Sequence, residues 1–488
     1  MQRITPGRAW PLHGVAATRQ IEAAAAATLP PHTLMQRAGA AVARLALALA
    51  PHARTVWVAC GPGNNGGDGL EAAALLQAPH REVVVTWLGD AAKQPTDARA
   101  SLQRAQAAGV RFADMPPGQA DLVIDAVLGI GVRRTLEGRA AAWPVQMARM
   151  AQAGAPVLAV DLPSGLDADT GQGEAITATH TLSLLTLKPG LFTALGRDAS
   201  GQVWFDDLGA TRFLAGADPA ATLCPAPEPV PRPHASHKGS WGDVAVIGGA
   251  PGMAGAALLA ARAALHAGAG RVFAGLLPGQ QPAGSGLTVD PAQPELMFRP
   301  VSALDPADLH VACGCGGGEA VRAELPRIVS RARTLVLDAD ALNAIAADST
   351  LQALLRARCA RAPDATLLTP HPLEAGRLLA TTAQAVQADR LGAAREIAAH
   401  WGAAVALKGS GTVIAAPGRI PQINPTGNAR LATAGTGDVL AGMVAARMAQ
   451  GQSAWEAAAY AVFAHGACAD EWPPGQALTA SGLASRLG

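Results

Sequence analysis

The sequence contains few charged and few aromatic residues. Charged residues make up 15% and aromatic residues 3% of the 488 positions, and 38 Lys and Arg residues balance 37 Asp and Glu residues. Because a nucleic-acid-binding surface needs an excess of basic residues, the net charge of +1 argues against DNA or RNA as a partner. The hydrophobic fraction of 50% excludes a disordered chain, and the length predicts two or three domains.

Cysteines and long apolar runs are also scarce. The one close pair among six cysteines, Cys313 and Cys315, matches neither a disulfide framework nor the ligand spacing of a zinc site, so we interpret both as packing residues. No stretch has the roughly 18 uninterrupted apolar residues of a membrane span, and the opening residues lack the apolar segment of a signal peptide. We therefore expect a cytoplasmic protein with reduced thiols and no membrane partner, and the low charge is compatible with a homo-oligomer.

Proline is concentrated in one segment, at positions 219, 225, 227, 229, 231 and 233. Proline lacks a backbone N–H and has a fixed φ, so this segment cannot be helix interior or central strand and favours an extended linker. We predict an N-terminal domain at 1–216, a linker at 217–235 and a C-terminal domain at 236–488.

Both predicted domains alternate short β-branched runs with Ala-rich stretches, which is typical of βαβ units around a parallel sheet. The predicted fold is α/β throughout, and the N-terminal domain is predicted to be a Rossmann-like three-layer domain. Helices are predicted at 18–27 and 34–50, the second capped by Thr33. Strands are predicted at 55–59, 82–87, 121–127 and 156–161, and then at 243–248, 271–277, 309–314, 334–340, 365–370 and 403–409.

The first predicted strand leads into a glycine-rich turn, GPGNNGGDG at 61–69. A Gly-x-Gly-x-x-Gly pattern between a strand and a helix favours phosphate binding, so a dinucleotide dehydrogenase is one interpretation. The acidic residue that a dehydrogenase needs at the end of its second strand has only a late counterpart, Asp90. Asn64, Asn65 and Asp68 add oxygen donors that could bind ribose, an amide or a cation.

Polar residues also follow other predicted strands. Asp125, Asp161 and Ser164 stand at strand ends, where an open α/β sheet binds its ligand. Each residue alone could be a helix cap or a turn residue. Their occurrence together with Asn65 at successive strand ends favours one shared crevice.

The C-terminal domain has a second glycine-rich turn before a helix. Gly435, Thr436 and Gly437 can offer backbone N–H groups to a transferring phosphoryl group, and Asp438 can accept the proton of the attacking hydroxyl. The alternative is a capping turn. The segment KGSGT at 408–412 follows a strand and could hold a nucleotide phosphate, although it lacks the Walker A order and its lysine could simply extend from the strand end. His371, between two prolines, is either a ligand-binding or a turn histidine.

Five motifs stand in order in the N-terminal half: MQRAG (35–39), GPGNNGGDG (61–69), DAVLGIG (125–131), VDLPSGLDADTG (160–171) and LKPGL (187–191). Together they resemble the NAD(P)H-hydrate epimerase family. The resemblance implies interconversion of the R and S epimers of NAD(P)HX, the hydrated nicotinamide cofactor, with Asp161 as candidate acid/base and with potassium held by Asn65, Asp125 and Ser164. It implies these substrate contacts: Asn64, Asn65, Gly66, Gly67, Asp68, Gly129, Ile130, Gly131, Val132, Arg133, Arg134, Thr135 and Asp161.

The second half carries HKGSWGDVAVIGGAPGMAGAALLAARAA (237–264), GCGGG (314–318), VLDADALN (336–343), LLTPHPLEAGRLL (367–379) and GNARLATAGTGDVLAG (427–442). This set resembles the ADP-dependent NAD(P)H-hydrate dehydratase family, which has a ribokinase-like α/β fold. Cys315 stands where that family usually has proline. The resemblance implies Asp438 as base, nucleotide contacts at Lys408, Gly409, Ser410, Gly411, Thr412, Gly435, Thr436 and Gly437, and NAD(P)HX contacts at Ala256, Gly316, His371 and Asp438.

The two halves together resemble the bifunctional NAD(P)H-hydrate repair enzymes. The implied reaction uses Mg²⁺ with ADP: the C6 hydroxyl of the S epimer is phosphorylated, and loss of phosphate restores NAD(P)H with release of AMP. The implied partners are NADHX or NADPHX and ADP. The alternative is a ribokinase-like small-molecule kinase with a non-catalytic N-terminal Rossmann-like binding module.

Overall fold

The computed structural model describes residues 1–131, 135–214, 216–229, 231–278 and 287–487. Val132, Arg133 and Arg134, three of the expected substrate contacts, lie outside these residues. The chain divides into two compact units, Met1–Thr5 with Trp10–Thr222 and Pro6–Ala9 with Leu223–Gly488. The division after Thr222 falls in the proline-rich segment, whereas the grouping of residues 6–9 with the second unit was not predicted.

The first unit is built around an eight-stranded sheet of order β1-β9-β8-β7-β6-β3-β4-β5, in which every neighbouring pair except β1 and β9 is parallel. Its elements are β1 (Gln2–Arg3), β2 (Pro11–Leu12), α1 (Val15–Ala26), α2 (Thr33–Leu49), β3 (Thr55–Cys60), α3 (Asn64–Leu76), β4 (Glu82–Trp87), α4 (Thr96–Ala107), β5 (Arg111–Phe112), β6 (Leu122–Ala126), α5 (Trp143–Gln152), β7 (Val157–Val160), β8 (His180–Leu184), α6 (Gly196–Ala199), β9 (Gln202–Asp206) and α7 (Thr211–Leu214). A further strand, β10 (Ala221–Leu223), lies in the proline-free part of the expected linker, and its residues Ala221 and Thr222 pair with β2.

Both faces of this sheet are covered, as the three-layer prediction requires. Val56 and Val58 of β3 belong to a core cluster with α2, α3 and α4. Trp57 between them belongs to a second cluster with Trp143 of α5. The central strands therefore consist almost entirely of apolar residues, which is typical of parallel strands buried on both faces. The predicted cap at Thr33 is wrong: α2 begins at Thr33, and His32 precedes it with φ of 65° and no side-chain cap.

The second unit contains a nine-strand run of order β13-β12-β11-β14-β15-β16-β17-β18-β19, parallel as far as β17 and antiparallel beyond it. Its strands are β11 (Asp243–Gly248), β12 (Arg271–Leu276), β13 (Met297–Phe298), β14 (His310–Cys313), β15 (Thr334–Leu337), β16 (Thr366–Leu368), β17 (Ala404–Leu407), β18 (Val413–Ala415) and β19 (Gln422–Ile423). Its helices are α8 (Ala254–His266), α9 (Val321–Arg331), α10 (Ala339–Ala346), α11 (Ser349–Arg361), α12 (Pro372–Leu378), α13 (Ala383–Ala388), α14 (Arg390–Trp401), α15 (Thr436–Ala449), α16 (Ala454–Asp470) and α17 (Ala480–Ala484).

The core of the second unit is rich in alanine. Helices α8, α15 and α16 pack together through small side chains, among them Ala257, Ala260 and Ala441. At Gly442 of α15, a Cβ atom would overlap the Ala260 carbonyl oxygen, so glycine is needed for this close approach of α8. Among the described residues, no helix is long and apolar enough to span a membrane.

Candidate active sites

A cavity of about 500 Å³ opens beyond the carboxyl ends of the central strands of the first unit. The loops after β3, β6, β7 and β8 contribute to its walls, which is where an open α/β sheet is expected to bind its ligand. Helix α1 forms part of the wall through Thr18, Arg19 and Glu22, none of which was predicted. The predicted site residues along the cavity are Asn64, Asn65, Asp68, Gly129, Ile130, Gly131 and Asp161.

The glycines of the first turn serve mainly to pack the backbone. A Cβ atom at Gly61 would overlap the Val127 carbonyl oxygen, and one at Gly66 would overlap the Gly61 carbonyl oxygen. At Gly67, a Cβ atom would lie 2.9 Å from the Ala98 Cα atom. Gly66 and Gly67 are buried and are not among the residues that line the cavity, and the substrate contacts expected at these two glycines stay a prediction.

Asp125 and Ser164 form a buried pair beneath the cavity wall. The Ser164 N–H and hydroxyl both donate to the Asp125 carboxylate, at 2.8 and 2.5 Å. The Leu128 N–H donates to the Ser164 oxygen at 2.8 Å, and a Cβ atom on the next residue, Gly129, would contact Asn65. Burial raises the pKa of Asp125 to about 6, and within the described part of the chain no basic side chain pairs with it.

The side-chain amide of Asn65 has no hydrogen-bond partner among the described residues, although both its oxygen and its nitrogen are buried. Buried polar atoms are nearly always hydrogen-bonded, so an unsatisfied amide beside a buried carboxylate suggests a missing ligand. The oxygens of Asn65, Asp125 and Ser164 are the kind of donor that hard cations prefer. These residues therefore fit the cation that the sequence led us to expect.

Asp161 faces the cavity directly after β7 and has a φ of 68°. Its carboxylate accepts a hydrogen bond from the Leu184 N–H at 3.1 Å and forms an ion pair with Lys188. Lys188 is fully buried and also donates to the carbonyl oxygens of Leu184 and Thr186, at 2.7 and 2.9 Å. The sequence motif LKPGL contains this lysine, but its role was not predicted.

Two further carboxyl groups line the same cavity as Asp161. Burial, together with the charge of Asp161, raises the pKa of Glu22 above its usual value. The same causes raise the pKa of Asp68 well above its usual value. The site thus combines an aspartate paired with an ammonium group and carboxyl groups whose surroundings favour the protonated form, a combination typical of acid and base partners.

Thr135 is not among the described residues that line the cavity. Its side chain is exposed, and its hydroxyl donates to the Glu174 carboxylate at 3.5 Å. The substrate contact at Thr135 stays a prediction, whereas Gly129, Ile130 and Gly131 line the cavity.

In the second unit, the predicted phosphate turn stands at the start of the 14-residue helix α15. Gly435 has a φ of 91°, a left-handed conformation that favours glycine. Asp438, in the first helical turn, is half-buried, and burial with the nearby charge of Asp338 raises its pKa to about 6. The arrangement places backbone N–H groups and a carboxylate of intermediate proton affinity at one helix end.

Lys408 turns inward and does not extend from the strand end. Its ammonium group lies 2.6 Å from the Asp338 carboxylate and 3.9 Å from Glu374. Although burial favours the neutral amine, the charges of Asp338 and Glu374 hold the pKa of Lys408 above its usual value. A Cβ atom at Gly437 would lie 3.4 Å from the Lys408 nitrogen, so the Lys408 side chain reaches the start of α15.

The side chain of Arg390 fixes the backbone at the start of the 408–412 segment. This buried guanidinium donates to the carbonyl oxygens of Leu407 and Lys408, both at 3.2 Å. Gly409 and Ser410 are exposed, and the Thr412 hydroxyl donates to the Gly409 carbonyl oxygen at 3.2 Å. A rigid turn with exposed backbone suits a phosphate-bearing ligand.

Cys315 is more than the packing residue we predicted. Its buried sulfur lies 3.9 Å from the Asp338 carboxylate, and Cys315, Asp338 and Asp438 bring their ligand atoms within 4.8 Å of one another. Because Lys408 already neutralises Asp338, this group does not fit a divalent cation held by protein side chains alone. We assign no metal to it.

Three further residues of the second unit are expected to contact NAD(P)HX: Ala256, Gly316 and His371. A Cβ atom at Gly316 would lie 2.9 Å from the Ala256 Cβ, so these two residues are neighbours. His371 caps α12: its Nδ1 accepts hydrogen bonds from Leu373 and Glu374, and its Nε2 lies 3.1 Å from the Glu374 carboxylate. Both ring nitrogens of His371 thus have partners, which corresponds to the turn interpretation.

Comparison with known proteins identifies both units. A family model described as NAD(P)H-hydrate dehydratase matches residues 244–487, and one described as YjeF-related protein N-terminus matches residues 31–190. The bifunctional NAD(P)H-hydrate repair enzyme of Escherichia coli (strain K12) is 37% identical over 477 residues, covering 92% of this chain and 87% of that protein. This chain belongs to the bifunctional NAD(P)H-hydrate repair enzyme family. Both units are α/β, as the sequence predicts.

Relatives of the second unit alone also exist. The ADP-dependent (S)-NAD(P)H-hydrate dehydratase of Neisseria meningitidis serogroup B is 42% identical over 258 residues, covering 52% of this chain and 84% of that protein. The solved structure of an ADP/ATP-dependent NAD(P)H-hydrate dehydratase from Bacillus subtilis is 30% identical, covers 53% of this chain and 91% of that chain, and has a TM-score of 0.43.

Proposed function

We propose that the protein repairs hydrated nicotinamide cofactors in the cytoplasm. The first unit interconverts the R and S epimers of NADHX and NADPHX, and the second unit dehydrates the S epimer with ADP and Mg²⁺. The observation that carries this proposal is the presence, in a chain of this family, of two separate carboxylate-centred sites, at Asp161 and at Asp438. A ribokinase-like kinase with a binding module would have no need of the ion-paired Asp161 beside a cavity.

In the proposed epimerase reaction, Asp161 accepts the proton of the C6 hydroxyl of NAD(P)HX. The bond between C6 and the ring nitrogen then breaks, its electrons remain on the nitrogen, and Asp68 supplies a proton there. Rotation about the freed aldehyde carbon and closure from the other face reverse both proton transfers and give the second epimer. The raised pKa of Asp68 and the ammonium partner of Asp161 support these opposite roles.

Potassium is the cation we propose for the first unit, held by Asn65, Asp125 and Ser164. The unsatisfied amide of Asn65 and the buried Asp125 carboxylate support this assignment. A bound cation would supply positive charge next to the Gly129–131 turn and stabilise an electron-rich substrate there. The protein itself contributes to the order of this turn, because the Leu128 N–H just before it donates a hydrogen bond to the Ser164 oxygen.

In the proposed dehydratase reaction, Asp438 accepts the proton of the C6 hydroxyl, whose oxygen attacks the β-phosphorus of ADP while AMP departs. Backbone N–H groups of Gly435, Thr436 and Gly437 hold the transferring phosphoryl group, and Mg²⁺ accompanies the nucleotide oxygens. The C6–O bond then breaks with loss of phosphate, a proton leaves C5, and the dihydropyridine ring is restored. The support for these roles is the position of Asp438 beside Lys408 at the start of α15.

The experiment that tests both activities uses an R/S mixture of NADHX with Mg²⁺, K⁺ and either ADP or ATP, and follows the absorbance of reduced nicotinamide. Complete recovery of NADH is expected with ADP, because epimerisation continuously supplies the S epimer. Recovery limited to the S fraction would remove the epimerase role of the first unit. No recovery with either nucleotide would favour the ribokinase-like kinase.

A further inference from the structure

Lys188 is a fully buried lysine that the reactions above do not use. It follows β8, and its ammonium group donates to the Leu184 and Thr186 carbonyl oxygens and forms an ion pair with Asp161. The Ser183 hydroxyl oxygen lies 3.4 Å from the same nitrogen, so four oxygens surround the ammonium group. Because burial of an unpaired ammonium group is very costly, such a lysine is stable only with a matched anion.

The backbone on the Asp161 side is equally constrained. Asp161 has a positive φ of 68°, and its N–H donates to the Leu182 carbonyl oxygen at 2.8 Å. The Leu184 N–H donates to the same carboxylate oxygen that faces Lys188. A left-handed conformation at a residue other than glycine costs about 1–3 kcal/mol and persists only where the surroundings require it, often at functional sites. The segment 182–188 therefore supports both the backbone and the carboxylate of Asp161.

The charged groups around this ion pair lie on α1, on α3 and in the segment before α1. Glu22 of α1 and Asp68 of α3 interact electrostatically with both Asp161 and Lys188. His13, in the segment before α1, is buried, and burial together with the charge of Lys188 lowers its pKa, so it is neutral near pH 7. Lys188 therefore supplies the buried positive charge that offsets three neighbouring carboxyl groups.

We propose that Lys188 is a positioning residue of the epimerase site, which holds the Asp161 carboxylate in place at the cavity through the buried ion pair. Lys188 is one of the residues along the cavity, but its side chain has no exposed surface and its ammonium group donates to protein oxygens, so it acts on the substrate through Asp161. This inference rests on the proposed epimerase function and adds a residue to it. It predicts that loss of the lysine charge impairs the base while the cavity that binds NAD(P)HX remains.

The test compares Lys188→Met and Lys188→Arg with the wild-type full chain, with NADHX epimer interconversion followed by chiral chromatography across a pH series. In Lys188→Met we expect kcat near neutral pH to fall about 100-fold, as for an impaired acid/base group, with KM little changed. Because the loss of a neighbouring positive charge disfavours the ionised form of a carboxylate, the acidic limb of the profile should move to higher pH. Lys188→Arg keeps the charge and should keep the position of that limb.

A double variant separates positioning from general damage. If Lys188 acts through Asp161, Asp161→Asn with Lys188→Met should be no slower than Asp161→Asn alone. Lys93→Met is the matched control, because Lys93 is an exposed lysine of the same unit. Thermal melts of every variant report folding, and if Lys188→Met does not fold, a shifted acidic limb in folded Lys188→Arg overturns the proposal.

The failures of the two proposals are distinguishable. Wild-type protein that does not interconvert the epimers overturns the epimerase function itself. Wild-type interconversion together with an unchanged pH profile in folded Lys188→Met, or an additive loss in the double variant, overturns only the role of Lys188.

Discussion

Lys188 and Lys408 each lie largely buried and donate to an aspartate, one in each unit. Lys188 pairs directly with Asp161, the proposed base. Lys408 pairs with Asp338, and burial together with the charge of Asp338 outweighs the opposing charge of Lys408 and raises the pKa of Asp438 to about 6. The two proposed bases therefore differ in one respect: Asp161 itself forms the ion pair with a buried lysine, whereas in the second unit a neighbour of the base forms it.

Asp438→Asn should abolish dehydration of the S epimer, with a loss of about 100-fold or more, because the amide cannot accept the hydroxyl proton. Wild-type dehydration should rise with pH through about 6, since Asp438 acts as a base only when ionised. Both are measured by NADH formation from purified S-NADHX and ADP. Asp364→Asn, at an exposed position of the same unit, is the control, and retained turnover in Asp438→Asn contradicts the role of Asp438.

Asn65→Ala should weaken the dependence of epimerisation on potassium. The buried amide oxygen is one of three proposed ligands, so its loss should raise the potassium concentration needed for half-maximal rate about tenfold or more, equivalent to about 1.4 kcal/mol. Asn64→Ala is the matched control, because the exposed Asn64 lines the cavity and should change KM for NADHX without changing the potassium response. Equal potassium curves for wild type and Asn65→Ala would remove Asn65 from the cation site.

At the scale of elements, the first turn and the middle of α15 have different roles. Its first turn carries the proposed phosphate-binding groups, and its middle packs against α8 at Gly442. Glycine occurs at both places for different reasons: the backbone of α8 occupies the Cβ position at Gly442, whereas a Cβ at Gly437 meets the end of Lys408 at 3.4 Å. Function and packing in one helix can therefore be altered separately.

Gly442→Ala should lower the free energy of unfolding by about 1–3 kcal/mol, because the added methyl group forces α8 and α15 apart. Gly437→Ala should leave the thermal midpoint close to that of the wild type but raise KM for ADP about tenfold, since the methyl group lies beside Lys408. Calorimetry and steady-state kinetics measure the two effects. An unstable Gly437→Ala with normal KM would show that the glycine serves packing.

At the scale of the whole molecule, each unit closes its own core and contains its own proposed site. The proposed intermediate, S-NAD(P)HX, is a soluble small molecule that can pass from one site to another through solvent. The two activities should therefore not need to reside in one chain.

A mixture of the Asp161→Asn and Asp438→Asn variants should convert an R/S mixture of NADHX completely, although neither variant does so alone. The reason is that each variant supplies the intact site that the other lacks. NADH formation at several protein concentrations measures this complementation, with each variant alone as control. Recovery that stops at the S fraction would show that the S epimer must be passed within one chain.

The sequence by itself determined the α/β class, most of the parallel strands and the motifs that border both sites, because hydrophobic periodicity and glycine-rich turns are local properties. Strands β8, β9, β13, β18 and β19 were not predicted. The sequence also predicted that Asn65, Asp125, Asp161 and Ser164 lie beyond or at the carboxyl ends of the strands. A local pattern does not define where a strand ends. The strand predicted at 334–340 ends at Leu337, and Asp338 forms an ion pair with Lys408.

Only the tertiary structure decided which polar residues pair and which glycines pack. Lys188 meets Asp161 across 27 residues, and Lys408 meets Asp338 across 70, so each pair depends on strand order and side-chain burial that no local pattern encodes. Gly66 and Gly67 looked like ligand-binding glycines in the motif, yet the space at their Cβ positions is filled by distant backbone or side chains. Burial is a property of the folded chain, and it is burial that sets the charge of the proposed catalytic groups.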